Sequence, residues 1–451
     1  MKNFDPSEVR HLFPALNQNI NGSAPVFFDG PGGTQVPESV MKAMNGYFLT
    51  GSSNLIVSDF FSVRNVRDIN KAAREKAAAF VNARSPNEII FGANMSTLTA
   101  HLSRSISREW NAGDEIIVTE LDHYSNVSYW KQSAEDRGAK WHAVRVNPED
   151  CTLDYKHLES LLSKKTKFVA FTMASNACGS LSDAPRIIKM AKSVGAMTYV
   201  DAVHYSPHYL PDVQKLDCDF LATSPYKFFG PHIGMVYGKT EHLTRLKPYK
   251  IEPAVATPPE CWETGTQNFE ARAGFCAAID YVASIGEGNT LREKLQSSYA
   301  RVAQYEQEWS RRFLERAKGH NRIRIHGITD PKRVHERTAT FGITMDGHET
   351  LEISNHFAKN NITTGAGSFY GIGVTKALGL LDKGGVVRVG CVHYNTFEEM
   401  DRLFDALGQL TDYPAALRSR LISSNPNSLL PCSGVARAAR RNGTGACHSG
   451  S

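Results

Sequence analysis

Between Glu115 and Ser224, short apolar runs alternate with stretches of helical spacing. EIIVT (115–119), KFVAFTM (167–173), MTYVD (197–201) and DFLATS (219–224) are apolar and rich in β-branched residues. Such runs read as strands buried on both faces, as in a covered parallel sheet. Between the second and third, SLSDAPRIIKMAKSVG reads as a capped helix that stops at Gly195. Strand, helix, strand in this order implies right-handed crossovers and parallel pairing. After DFLATS, the strand candidate IGMVYG (233–238) follows too soon for a crossover helix. An antiparallel return is expected there.

The flanks differ from this middle. Asp5-Pro6-Ser7-Glu8 supplies a cap, a proline and an acid, so a short helix to about Leu12 is expected. FFDGPGGTQVP (Phe27–Pro37) is a glycine-rich loop, and NVRDINKAAREKAAAFV (65–81) a helix with a basic, solvated face. FGANMSTLTAHLSRSI (91–106) reads as a strand end turning into a helix at Met95-Ser96-Thr97. The C-terminal third holds a long amphipathic helix (291–317), strand candidates at 338–347 and 386–394, and a helix at 396–410. The expected layout is α/β: a large domain over 25–265 on a mostly parallel sheet. A smaller α+β domain over 266–412 packs with an N-terminal helix in 1–24. The remainder, 413–451, is rich in Ser, Gly, Asn and Pro and reads as disordered.

Composition excludes several classes. With 41% hydrophobic and 22% charged residues the chain is of the soluble globular kind, with no apolar run of membrane-span length. The net charge of +5 comes from five arginines in 413–451; the rest carries 46 basic and 46 acidic residues. A balanced body argues against nucleic-acid binding. Eight cysteines without a CxxC indicate neither a disulfide framework nor a zinc knuckle. No signal peptide is read at the start, and a cytoplasmic setting is expected.

Ligands of open α/β sheets bind beyond the carboxyl ends of the strands. Glu120-Leu121-Asp122-His123, Ala174-Ser175-Asn176, Asp201-Ala202-Val203-His204 and Ser224-Pro225-Tyr226-Lys227 fall there. The helix start at Met95 and Ser96 adds backbone N–H groups able to hold a phosphate. A reactive lysine, a buried acid, a stacking ring and an anion site are the needs of pyridoxal phosphate. The bland readings are a helix cap for Asp201 and a turn residue for Asn176. Each is as good as the functional reading singly, but not for the whole set in this order. His204 and His208 have helical metal-pair spacing, but Pro207 breaks the helix, so no metal is expected. PGGT lacks the lysine of a nucleotide loop and more simply lines an entrance.

DAVH (201–204), SPYKFFGP (224–231) and ETGT (263–266) together resemble the pyridoxal-phosphate enzymes of aminotransferase class V, in particular the cysteine desulfurase-like branch. The resemblance spans roughly Phe27 to Leu410 and implies the fold type I architecture of pyridoxal-phosphate transferases, with a mostly parallel, seven-stranded type of sheet. It implies Lys227 as the covalent attachment point, Asp201 at the pyridinium nitrogen, and His123 stacked on the ring and aiding proton transfer. It places Asn176 and His204 at the phenolic oxygen. Ser224, Tyr226 and the backbone at Met95 and Ser96 fall at the phosphate, and Tyr226 stands where the desulfurases have histidine. Thr266 reaches the phosphate from a partner subunit, which implies a homodimer. Arg388 binds the carboxylate of a small amino-acid substrate. The aromatics around Lys227 are expected to keep the attachment point dry.

In the desulfurases a cysteine sits on the loop before that arginine. Here ITTGAGSFYGIG (362–373) offers Ser368, Phe369 and Tyr370 instead. Serine cannot form a persulfide. Cys178, two residues from Asn176, is a weak substitute and reads better as a small buried hydrophobe. The expected activity is therefore carbon–sulfur β-lysis of cysteine or a derivative. The alternatives are an epimerase of the isopenicillin N type, using Lys227 with Tyr370 or His123, and an aminotransferase. A cofactor-binding protein without turnover is weaker. A sulfur-acceptor partner is left open.

Overall fold

The computed structural model describes residues 3–411. The basic tail lies outside the described residues. The chain up to Leu407 is one compact unit, and Gly408 begins a second. Among the described residues, no helix is long and apolar enough to cross a membrane.

Seven strands form the central sheet: β1 (Ile89–Gly92), β2 (Glu115–Thr119), β3 (Lys140–Val144), β4 (Thr166–Thr172), β5 (Met197–Asp201), β6 (Phe220–Thr223) and β7 (Gly234–Gly238). Their order is β1-β7-β6-β5-β4-β2-β3. Pairings from β3 to β6 are parallel. β7 returns antiparallel on β6, as expected from its short connection, and also pairs antiparallel with β1. The expected crossover helix runs Ala184–Ser193, capped by Asp183, whose side chain accepts from the Arg186 N–H. Gly195 follows at φ +79°, where a side chain would be strained. One face of the sheet is sealed by Trp130, Phe168, Tyr199 and Phe220, all fully buried.

A second, antiparallel sheet orders Gly365–Gly367, Val386–Gly390, Thr340–Met345 and Ile323–His326. The long helix runs Leu291–Ala317. The N-terminal helix is shorter than expected, Ser7–Arg10, and Asp5 accepts from the Ser7 N–H ahead of it. Its last residue, Arg10, pairs with Glu399 at 2.8 Å. Val26–Phe27 pairs in parallel with Ile362–Thr363. That small pairing carries the glycine-rich loop to the edge of the second sheet, where Asp29 bridges Gly390.

The helix Met95–Ile106 begins where β1 ends. Asn94 caps it by accepting the Thr97 N–H at 2.9 Å. The helix start lies against β7 at Gly234. A Cβ at Gly234 would sit 2.3 Å from the Asn94 carbonyl carbon and 2.7 Å from the Met95 nitrogen, both backbone atoms. Gly234→Ala must therefore push this helix start outward. The expected cost is about 1–3 kcal/mol of stability, read as a lower urea midpoint at unchanged m-value.

Candidate active site

Lys227 reaches its place through a single turn. β6 ends at Thr223, and Pro225–Lys227 forms a 3-10 turn started by the proline. The side chain is 6% exposed, and its Nζ donates to the Pro31 carbonyl at 2.7 Å. Burial, and then the Arg388 charge, push the amine down to about 8 against the opposing pull of Asp201 and Asp29. The glycine-rich loop clamps this turn. Thr34 N–H donates to the Tyr226 carbonyl at 3.1 Å, and Thr34 Oγ1 accepts the Phe229 N–H at 2.8 Å. Only Tyr226 of the flanking aromatics lines the cleft. Contrary to expectation, Phe228 and Phe229 do not shield the amine. Phe228 stacks on Phe80 at 4.7 Å, and Phe229 packs against His393 and Tyr281. Their apolar area serves the core and anchors the turn from behind.

Around Lys227 the cleft gathers Met95, Ser96, His123, Asn176, Asp201, His204, Ser224 and Tyr226. All came from strand ends or the helix start, as the topology requires. Asp201 is buried and raised to about 6 by burial, while the Val203 N–H at 2.8 Å and the Lys227 charge oppose the rise. His123 Nδ1 accepts the Ser125 N–H at 3.1 Å and faces Ser125 Oγ at 2.7 Å. That contact assigns its proton to Nε2. Burial, with Lys227 and Arg388, brings its pKa down to about 4, so the ring is neutral. His204 is likewise driven well below its ordinary value by burial, then by His208, Lys227 and Arg388. Its Nε2 meets Thr340 Oγ1 at 3.1 Å.

Two buried polar atoms of the cleft residues have no protein partner: Asn176 Oδ1 and His204 Nδ1. Buried polar atoms call for a partner, and a polar ligand in the cleft supplies one. With the free helix-start N–H groups and the depressed amine, these residues fit pyridoxal phosphate.

Arg388 enters from the second sheet. Its Nη1 donates to the Asn176 carbonyl at 3.2 Å, and its Nη2 pairs with Asp29 at 3.0 Å. The Phe369 ring lies 3.8 Å from the guanidinium carbon. Nε remains buried without a partner. Asp29 is the residue that sequence reasoning missed: the FFDGPGGT loop was read only as entrance backbone. Its signal was a lone acid in an otherwise uncharged loop. Thr266 is exposed ahead of the helix Phe269–Ser284 and is not brought to the cleft. Cys178 is 1% exposed and is not among the lining residues.

A parallel sheet with this lysine, acid and helix start at its carboxyl edge defines the fold type I architecture of pyridoxal-phosphate enzymes. The aminotransferase class-V model matches residues 26–403, and the chain belongs to that family. A cysteine desulfurase of Synechococcus elongatus is 31% identical over 439 residues, covering 92% of this chain. The chain spans 65% of that relative's length. A probable cysteine desulfurase of Synechocystis is 30% identical, covering 88% of this chain and 94% of that one. Among solved structures, the apo cysteine desulfurase of Thermococcus onnurineus superposes with a TM-score of 0.81 at 24% identity, over 91% of this chain and 98% of that one. That likeness shows the shared fold.

The depressed amine makes cofactor loading a measure of the site. The rate of pyridoxal phosphate incorporation into the apo protein, followed by absorbance, should climb with pH and level off above about 8, where Lys227 becomes neutral. An ordinary lysine would keep climbing past 10. Asp201→Asn removes a charge that favours the ammonium, so the midpoint should move to lower pH.

Proposed function

We propose that the protein is a pyridoxal-phosphate enzyme that cleaves the β-carbon–sulfur bond of cysteine or a cysteine derivative. The observation that carries the reading is a cleft equipped for α-proton removal with no cysteine among its lining residues. In this reading Lys227 is the attachment point, Asp201 faces the ring nitrogen, and His123 covers the ring as a neutral imidazole. Asn176 and His204 meet the phenolic oxygen. Met95, Ser96, Ser224 and Tyr226 hold the phosphate. When bound, the cofactor supplies an electron sink for the pair left at the α-carbon.

The chain's own residues do the rest. Arg388 takes the substrate carboxylate through its unpartnered Nε, with its plane fixed by Phe369, Asn176 and Asp29. Lys227 Nζ, neutral above about 8, removes the α-proton. The β-substituent leaves as a thiol. Water completes the balance, giving pyruvate and ammonia. No protein thiol and no sulfur-acceptor partner is needed.

A homodimer belongs to the same reading. The stretch 48–61 exposes Phe48, Leu49, Leu55, Ile56, Val57, Phe60 and Phe61, with Leu49 at 87% and Val57 at 99%. Apolar surface of this extent favours a protein partner, and Thr266 is exposed and free to serve a neighbouring cleft. A reducing, cytoplasmic setting is part of the proposal, and the free thiols of the described cysteines support it.

Two experiments test this. Cofactor-loaded enzyme given L-cysteine and S-substituted cysteines should yield pyruvate and the matching thiol or sulfide, and Lys227→Ala should yield neither. Alanine with sulfane sulfur would instead mean a desulfurase, and a D-amino acid alone an epimerase. Light scattering should give twice the chain mass, falling to one chain mass in Leu49→Asp/Val57→Asp. A wild-type monomer would sink the dimer.

A further inference from the structure

The glycine-rich loop holds a carboxylate of which only one oxygen is engaged. Asp29 Oδ1 accepts from Arg388 Nη2 at 3.0 Å. Asp29 Oδ2 has no hydrogen-bond partner among the described residues. The two partners differ in access: the Arg388 side chain is 5% exposed and that of Asp29 38%. The backbone fixes where this acid stands. The Phe28 N–H donates to the Thr363 carbonyl at 3.0 Å, and the Gly390 N–H to the Phe28 carbonyl at 2.8 Å. The Gly32 and Gly33 N–H groups fold back onto the Asp29 carbonyl at 2.8 and 3.2 Å. A fixed, accessible carboxylate with one open oxygen is placed to meet a ligand.

Charge decides which ligand. Among the described residues Arg388 is the one cation that pairs with Asp29. Lys227 feels the Asp29 charge, but its Nζ is committed to the Pro31 carbonyl. On their own, Arg388 and Asp29 cancel. A substrate carboxylate then joins the same guanidinium. Two carboxylates share one arginine, and one negative charge is left over beside a buried group, where an unbalanced charge is costly. The substrate's α-amino nitrogen does not offset it, since the cofactor takes that nitrogen. A cation on the substrate side chain offsets it, and a second carboxylate adds to the excess.

We propose that Asp29 is a specificity-determining residue: it selects cysteine derivatives whose sulfur substituent carries a cationic group, such as a terminal ammonium, and turns away those with a second carboxylate. The inference rests on the proposed function for the placement of the substrate carboxylate at Arg388. Asp29 Oδ1 stays on the guanidinium, and the open Oδ2 receives the cation through a charge-assisted hydrogen bond. One acid thus serves both the anchor and the choice of side chain. With its side chain 38% exposed, the selection is screened by salt.

The test reads binding to the cofactor-loaded, full chain rather than turnover. L-lysine, L-norleucine and L-α-aminoadipate match the S-aminoethyl, S-ethyl and S-carboxymethyl derivatives of cysteine with a methylene in place of sulfur, so they have no leaving group at the β-carbon. Their Kd values are measured by titration calorimetry. Lysine should bind about fivefold more tightly than norleucine, and aminoadipate about fivefold more weakly, the factor that one charge pair at contact distance gives in water-like surroundings. Both ratios should shrink at high salt and fall close to one in Asp29→Asn, whose amide oxygen can still accept from Arg388. Aminoadipate binding as tightly as lysine would overturn the proposal, and so would ratios that persist in Asp29→Asn. The wild-type ratios and their salt dependence decide the matter even where Asp29→Asn does not fold. The outcome is separate from that of the lyase assay. Intact ratios without cleavage of any cysteine derivative sink the lyase and leave the selectivity standing; cleavage with equal Kd values sinks the selectivity alone.

Discussion

Burying an amine at the carboxyl edge of the sheet sets the terms for everything near it. Lys227 and Arg388 are two cations in one region shielded from water. Each isolated buried ion costs several kcal/mol after relaxation. Asp29 and Asp201 offset them: Asp29 pairs directly with Arg388, and both raise the amine against desolvation. Burial first, and then the charges of Lys227 and Arg388, keep His123 and His204 neutral. Neutral imidazoles next to a depressed lysine follow from shielding from water, with the charge balance added to it.

The balance depends on contacts far apart in the chain. Pro31 and Lys227 are 196 residues apart, and Asp29 and Arg388 are 359 apart. The parallel pairing of Val26–Phe27 with Ile362–Thr363 makes both contacts possible, since it lays the glycine-rich loop between the two sheets' functional edges. Local flexibility then matters at one point. A Cβ on Gly32 would fall 2.5 Å from an Asp29 carboxylate oxygen, so a larger residue there would disturb the acid that pairs with Arg388.

What could be read from sequence follows the range of the forces involved. β4 to β7 were legible because strands buried on both faces are written as unbroken apolar runs. The helix start at Met95 was legible from the strand-to-helix change of pattern. β3 was missed: KWHAV is an edge strand with exposed Lys140 and Trp141, and carries no such run. The helix Glu38–Thr50 was also missed; it contains Gly46, and its apolar residues leave Phe48 and Leu49 in solvent. Phe228 and Phe229 were assigned to the wrong side of the turn because neighbouring residues in a tight turn do not share a face. No local pattern announces the Asp29–Arg388 pair or the burial of Arg337. Such partners are set by tertiary packing alone.

The loop at Ser368–Gly371 shows how packing can restrict chemistry. Phe369 and Tyr370 both adopt the left-handed region, at φ +53° and +58°. Each costs roughly 1–2 kcal/mol for a residue with a side chain. The contacts that offset this cost are specific. Asn176 Nδ2 donates to the Phe369 carbonyl at 2.9 Å, and the Tyr124 N–H to the Tyr370 carbonyl at 2.9 Å. Phe369 lies on Arg388, and Tyr370 packs 5.2 Å from His123. A group that shuttles between a substrate and an outside acceptor needs freedom to move. This loop is anchored at both ends of its tip to groups of the cleft. Its contribution is to fix the guanidinium plane and the edge of the imidazole.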